Sequence, residues 1–342
     1  MATKNFFKEN SFVILKDFIK EDVIKEIKNE IYIEIIKLLD ILYKQNLISG
    51  QYKNDQLSAD EKLLLAESEY IGTTILLHTR FASRLPKFIG EYLFRNTELL
   101  QVISELLEST EISGHPEWNV RCKTPSNRYF EVPWHQDTAY LSKGSEIFNQ
   151  ITCWLTLVDI NDTVLGPLEL IPKALSDKTV YKHQLEKLKN SQYHDSWYLE
   201  VPVEEIPHTT PSQIITGLGA GSIVLFSNLT LHKSLPNLSK QKEIRWTIDI
   251  RFQKTQDPSG FYPLDQSNNE TKMKLTTSQL NSNDNNNTNT NSNNSIVPLD
   301  IDYQKWSNES NLMTKDNVEN NEEDLSNYSI EGPWFDRWLV DK

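Results

Sequence analysis

The residues with the plainest capacity for chemistry stand together in Pro133-Trp134-His135-Gln136-Asp137. Side chains at i and i+2 leave the same face of an extended strand, so His135 and Asp137 can address one point in space. An imidazole nitrogen and a carboxylate oxygen at one point suit a divalent metal of intermediate softness. Alone the triplet says little. The chain has seven histidines and 48 acidic residues, and chance readily supplies such a spacing. A solvated polar pair is the plain alternative.

Three further features give the triplet weight. His232, in Leu231-His232-Lys233-Ser234, follows the strand-like run GSIVLFSNLT. Arg245 sits on the next β-prone stretch, EIRWTIDIRFQ. A guanidinium inside a barrel mouth calls for an anionic partner, because burying a lone charge is costly. A dicarboxylate would meet it with bidentate geometry. Trp134, Tyr140, Trp154, Phe226 and Trp246 then surround these residues with aromatic surface, as in the mostly apolar clefts that take small ligands. Two histidines and one carboxylate on a metal leave three positions open. That pattern points to non-haem iron(II) oxygenases rather than closed, tetrahedral zinc. The open positions suit the 1-carboxylate and 2-keto oxygen of 2-oxoglutarate, with dioxygen as the oxidant and ascorbate as an accessory reductant. Arg245 would hold the far carboxylate, with Arg251 on the same strand face as the fallback.

Other residues are candidates for the substrate. Asn119, Arg121 and Lys123 alternate along one strand and share a face, either the barrel interior or a solvated edge. Gln136 points away from the ligands in a regular strand, whereas a loop would bring it to the substrate. Tyr140 is either a substrate wall or core. Arg80 is a weaker candidate for an anion contact. His78, His115, His183, His194 and His208 read as surface or packing residues.

The elements that must position these groups fall into two halves. Residues 10–19 read as a strand. Residues 20–45 turn helical, with Ile24, Ile27, Ile31, Ile35, Leu38 and Leu42 at three- and four-residue steps. Residues 60–70 and 85–108 are also helical, the second with Tyr92, Leu99, Val102, Ile103 and Leu106 as its apolar stripe. From residue 111 short β-rich runs take over, at 117–123, 151–160, 166–171, 198–203, 221–227 and 243–253, separated by turn residues. The expected fold is α+β with a mainly β core: a double-stranded β-helix, or jelly roll, under an N-terminal helical layer. The expected boundaries are 1–110 for the helical layer, 111–262 for the catalytic core, and 296–342 for a C-terminal tail packed back on the core. Trp334, Phe335, Trp338 and Leu339 would anchor that tail as a short helix. Between them, 263–295 holds the Asn-, Ser- and Thr-rich run from Asn281 to Ser295 and reads as a disordered insertion.

Composition narrows the function. With 342 residues the chain can bury a sizeable core. Its net charge of −13 argues against nucleic acid as a partner and, more weakly, against an anionic membrane surface. Cys122 and Cys153 form no metal or disulfide framework and read as reduced thiols. No secretory signal, membrane span or peroxisomal address is apparent, so the expectation is a cytoplasmic protein acting on a small molecule.

The sequence resembles the phytanoyl-CoA dioxygenase family over about residues 8–260. Four blocks carry the resemblance in order: PWHQDTAY, ITCWLTLVDINDTVLGPLELIP, GLGAGSIVLFSNLTLHKSLPNLS and EIRWTIDIRFQ. The resemblance implies iron ligands at His135, Asp137 and His232 and a 2-oxoglutarate salt bridge at Arg245. It also implies cosubstrate contacts at Ser234 and Trp154. Three positions depart from the pattern. Pro172-Lys173-Ala174-Leu175 replaces a PGSH-type turn, Ser222 stands where an acidic residue is common, and the loop from His232 to Arg245 is slightly longer. Asp137 speaks against a halogenase, which carries a small residue there. Two rival readings are a catalytically silent family member acting as a binding or scaffold protein, and a zinc or manganese hydrolase or isomerase on the same ligands. Nothing in the sequence identifies the substrate.

Overall fold

The computed structural model describes residues 2–78, 90–115, 118–125, 127, 131–186, 198–260, 273–278, 296–299 and 337–338. Arg80, His194, the Asn281–Ser295 run, Trp334, Phe335 and Leu339 lie outside the described residues.

The N-terminal half is the expected helical layer with one strand in it. Helix α1 (Ala2–Asn10), which the sequence pattern did not suggest, leads into strand β1 (Phe12–Leu15). Helix α2 (Glu21–Lys44) buries the anticipated stripe from Ile24 to Leu42. Helix α3 (Ala59–Glu69) opens on a capping box, in which Ser58 and Glu61 satisfy each other's backbone N–H groups. Short helix α4 (Thr73–Leu76) follows, and α5 (Thr97–Leu107) is capped by the Asn96 side chain. Leu99, Ile103 and Leu106 of the predicted stripe are buried, while Tyr92 and Val102 are only half-buried.

Thirteen further strands follow: β2 (Ile112–Gly114), β3 (Asn119–Lys123), β4 (Gln150–Thr156), β5 (Leu168–Ile171), β6 (Gln184–Leu185), β7 (Leu199–Glu200), β8 (Gln213–Ile214), β9 (Ile223–Ser227), β10 (Leu231–Ser234), β11 (Arg245–Lys254), β12 (Met273–Lys274), β13 (Thr276–Ser278) and β14 (Ile296–Pro298). The major antiparallel sheet runs β1-β9-β4-β11-β2-β12, with β3 also paired to β11. A minor sheet, β10-β5-β8, faces it. Two sheets with strands drawn from distant parts of the chain make the expected jelly roll.

Strand β11 shows how the layers are assigned. Trp246, Ile248, Ile250 and Phe252 pack into one hydrophobic core with the Ile and Leu stripe of α2 and with α5. The alternate residues Arg245, Thr247, Asp249, Arg251 and Gln253 are also buried, but on the opposite face. The helical layer thus covers one side of the major sheet, and the polar side is enclosed between the two sheets. Period-two alternation is what lets one strand serve both. Cys122 and Cys153 are free thiols buried in the apolar core.

The boundaries drawn from composition shift in two places. Strand β1 leaves the helical layer to pair with β9, in register from Phe12↔Phe226 to Leu15↔Ile223. Residues 273–278, assigned above to a disordered insertion, instead form β12 on β2 and β13 on β14. Met273 and Leu275 are buried there. Two apolar side chains are enough to seat a short segment on an existing sheet edge, and average composition over thirty residues hides them.

Candidate metal centre and cosubstrate cavity

His135 and His232 meet through the backbone. The His135 N–H donates to the His232 carbonyl at 2.9 Å, and the His232 N–H returns the bond to the His135 carbonyl at 3.0 Å. Residues paired directly across an antiparallel bridge present their side chains on the same face. The two rings stand 4.1 Å apart between centroids. The chain turns just after this bridge, and Asp137 begins a 3₁₀ turn (Asp137–Tyr140). Gln136 between the ligands keeps extended dihedrals, so the i, i+2 argument holds locally although no regular strand contains the triplet.

The remaining hydrogen bonds decide which atoms face inward. His135 Nδ1 bonds the Pro133 carbonyl at 2.8 Å, and His232 Nδ1 bonds the Thr230 carbonyl at 2.9 Å. A carbonyl only accepts, so both Nδ1 atoms carry the proton and both Nε2 lone pairs are free to ligate. The Nε2 atoms lie 3.5 Å and 3.7 Å from Asp137 Oδ1. The three ligating atoms fall within 4.8 Å of one another, and all three residues are buried. Asp137 Oδ2 is occupied by the Thr152 hydroxyl at 2.5 Å and by Arg251, whose Nη2 lies at 3.3 Å. One carboxylate oxygen is therefore pinned and the other aimed at the histidines. Burial pushes the Asp137 carboxyl up, but Arg251 and the two histidines outweigh it and hold the group well below the usual carboxylate range. Burial, with His135 alongside, lowers His232 to about 4. Asp137 is thus a carboxylate and His232 a neutral imidazole, the protonation states a metal requires.

A partly open pocket of about 400 Å³, the space at its mouth included, lies against this centre between the two sheets. Arg245 lines its inner end together with Ser234 and Trp154. Arg245 Nη1 donates to Ser234 Oγ at 3.0 Å and to the Gly166 carbonyl, and the guanidinium stands 5.5 Å from the centre of the Trp154 ring. Its Nε has no partner. Lys123 joins the cluster, its Nζ donating to Ser234 Oγ at 2.6 Å. Burial, with Arg245 nearby, lowers the Lys123 ammonium well below its ordinary range. Lys123, which does not line the cavity, holds Ser234 from behind, while Arg245, a buried guanidinium with no carboxylate pairing it among the described residues, offers a site for an anion. Gly166 shapes it: its φ is +68°, and an added Cβ would meet the Leu235 carbonyl at 2.2 Å.

Arg251 is not a second choice for that anion. Its reach ends on Asp137, six residues along β11 from Arg245. Among the substrate candidates Arg121 lines the cavity, paired with Asp249, whose second oxygen has no partner. Lys123, fully buried on the same strand face, shows that this face is the barrel interior and not a solvated edge. Asn119 is not among the cavity-lining residues. Gln136 is turned away and spent on the backbone: its Nε2 donates to Thr179 and Leu229 carbonyls, and its Oε1 accepts from the Tyr181 N–H. The loop conformation that would have brought it to a substrate does not occur. Tyr140 sets its ring edge-on to His135 at 5.8 Å, and its hydroxyl accepts the Leu199 N–H. It buttresses the ligand and does not line the cavity.

Sequence reasoning missed Thr152, Asp249 and His183. Thr152 and Trp154 alternate along β4, as Asp249 and Arg251 do along β11. That alternation, followed outward from Trp154 and Arg245, was the available signal. His183 gave none. It is buried, its Nε2 accepts the Gln136 N–H at 3.0 Å, and its Nδ1 donates to the Tyr181 carbonyl at 2.8 Å. His78 and His115 also bond backbone carbonyls, and His208 is exposed.

The phytanoyl-CoA dioxygenase (PhyH) family model matches residues 7–245. The chain belongs to this family. Its members are 2-oxoglutarate-dependent oxidoreductases of the non-haem iron kind, and this family member is an enzyme of that kind. Solved structures with a similar chain course include the non-heme monooxygenase ThoJ, at 12% identity, covering 74% of this chain and 78% of that one with a TM-score of 0.45. The epimerase SnoN, in complex with Fe3+, alpha ketoglutarate and nogalamycin RO, is 13% identical over 76% of this chain and 86% of that one, with a TM-score of 0.46. EvdO2 from Micromonospora carbonacea var. aurantiaca is 18% identical over 74% of this chain and 90% of that one, also at 0.46. Likenesses this distant say nothing of the substrate. No helix among the described residues is long and apolar enough to cross a membrane.

Proposed function

We propose that this family member hydroxylates a small-molecule substrate at a C–H bond, consuming dioxygen and 2-oxoglutarate and releasing succinate and carbon dioxide. The observation that carries the reading is the pairing of two sites in one cavity: three convergent metal ligands, and a buried guanidinium with no carboxylate partner among the described residues. Iron(II) on His135, Asp137 and His232 would supply activation of dioxygen. The chain's own residues do the rest. Thr152 and Arg251 fix the Asp137 carboxylate, and the Pro133 and Thr230 carbonyls fix the imidazole tautomers. Arg245 and Ser234 take the far carboxylate of 2-oxoglutarate, Lys123 holds Ser234 in place, and Trp154 walls the cosubstrate's chain. Arg121 is the residue of the original substrate set that faces the cavity and is assigned to the substrate.

Anaerobic titration with iron(II) and then 2-oxoglutarate tests this. The expected result is a weak visible charge-transfer band that needs both additions, and slow succinate formation once air is admitted. Absence of both would leave a binding or scaffold role instead.

A further inference from the structure

We propose that Arg337 and Trp338, near the C-terminal end of the chain, are positioning residues that clamp the turn carrying the metal ligand Asp137. They lie 200 residues further along the chain than that ligand, outside the stretch matched by the family model. Arg337 Nη1 donates to the Thr138 carbonyl at 2.7 Å, the Leu141 carbonyl at 2.8 Å and the Ser142 carbonyl at 3.4 Å. Its Nη2 pairs with Glu146 at 3.1 Å, and the side chain is only 5% exposed. Trp338 Nε1 donates to the Ala139 carbonyl at 2.9 Å. Four of the five backbone carbonyls directly after Asp137 are therefore held by two side chains of the tail.

The Thr138 and Ser142 carbonyls also accept the Leu141 and Ser145 N–H groups, at 3.2 Å and 3.1 Å, so the tail adds donors to acceptors that the turn satisfies only in part. A guanidinium holds these carbonyls through Nη1 and Glu146 through Nη2 at the same time, a division that the single nitrogen of an ammonium cannot make. The clamp also reaches the other side of the ligand. The Trp338 ring lies 5.1 Å from His183, which accepts the Gln136 N–H. Trp338 packs as well with Ala139, Leu199 and Tyr140, and Tyr140 in turn stands against His135. Asp137 is thus gripped from Gln136 before it and from residues 138–142 after it. Its carboxylate oxygen can stay aimed at the two imidazoles only while that short segment holds its dihedrals.

The inference rests on the metal centre proposed above. Its test is Co(II) affinity in the full-length protein, read from the visible d–d absorption, for Arg337→Ala, Arg337→Lys and Trp338→Phe. Removing a group that orients a ligand from outside the coordination sphere typically costs about 10- to 100-fold in metal affinity. Arg337→Ala should therefore weaken Co(II) binding about tenfold, with added guanidinium restoring part of the loss. Arg337→Lys keeps the charge but has one nitrogen for the contacts that Nη1 and Nη2 divide between the carbonyls and Glu146, and should weaken binding about threefold. Tyr52→Phe, which removes a hydrogen bond to Asp40 in the helical layer, lowers stability without touching the turn and should leave Co(II) affinity unchanged. Wild-type affinity in Arg337→Ala would overturn the clamp, and so would wild-type affinity in Arg337→Lys if the alanine variant does not fold. Equal weakening in Tyr52→Phe would overturn it too, by assigning the effect to global stability. Wild-type protein that binds no Co(II) would instead overturn the metal centre, and the clamp with it.

Discussion

Replacing Arg245 by methionine separates two effects that a merely structural arginine would couple. The side chain is 1% exposed, and among the described residues its hydrogen bonds are to the Gly166 carbonyl and the Ser234 hydroxyl. Burial pulls its pKa down from 12.5 to about 10. At about 1.4 kcal/mol per unit, the fold disfavours this charge by about 3 kcal/mol while no anion is bound. Methionine removes the charge, keeps much of the apolar stem, and loses two hydrogen bonds worth about 1 kcal/mol each. The ligand-free variant should therefore be as stable as wild type or about 1 kcal/mol more so. Bound 2-oxoglutarate reverses the sign. Truncating one partner of a buried, hydrogen-bonded charge pair costs about 2 kcal/mol or more. Ser234, which lines the same cavity, remains and keeps the loss near that lower bound, or about 30-fold in Kd. Calorimetric titration of the Co(II)-loaded protein with 2-oxoglutarate under anaerobic conditions gives the second number, and denaturant unfolding of the apoprotein gives the first. A stability loss of about 2 kcal/mol with an unchanged Kd would refute the reasoning, because the arginine would then serve the fold and not the ligand.

Further outcomes follow from the same geometry. Arg251→Met and Thr152→Val each remove one of the two partners of Asp137 Oδ2, and should weaken metal binding by about 10- to 100-fold in a competition titration against a chelator. His183 is 2% exposed, and burial lowers its pKa to about 3. Its folded pKa lies below the ordinary 6.5, so its neutral form stabilises the fold above pH 6.5. That contribution is lost as the pH falls toward 3, at about 1.4 kcal/mol per unit. In unfolding titrations at several pH values across that window, His183→Gln should flatten the acid slope by about this amount. Ile250→Ala, at a fully buried position under the helical layer, should cost about 2–5 kcal/mol in urea unfolding. Co(II) affinity of the folded variant should stay at the wild-type value, because Ile250 faces away from the cavity.

The helical layer was legible because helical periodicity is local: the Ile and Leu stripe of α2 marks its face without reference to anything else. The strands were legible as runs, and β11 even showed its two faces in the alternation of Trp246, Ile248, Ile250 and Phe252 with charged and polar residues. The HxD spacing, the late histidine and the arginine beyond it picked out the three side chains that converge and the guanidinium that lines their cavity, because each is a matter of residue type and chain order. Sequence could not choose between Arg245 and Arg251, which share a strand face. Only the register of β11 against β4 settles it, by setting Arg251 opposite Thr152 and within reach of Asp137. Nor could it place Gln136, whose direction depends on partners at Thr179, Tyr181 and Leu229. The backbone bridge that joins His135 to His232, the His183 contact behind Gln136, and the grip of Arg337 and Trp338 on the Asp137 turn are pairings across about 50 to 200 residues of chain. Residue type says what each of these groups can do. Which of them meet is decided by packing alone, since hydrogen bonds and ion pairs act over a few ångströms of space and carry no trace in sequence separation.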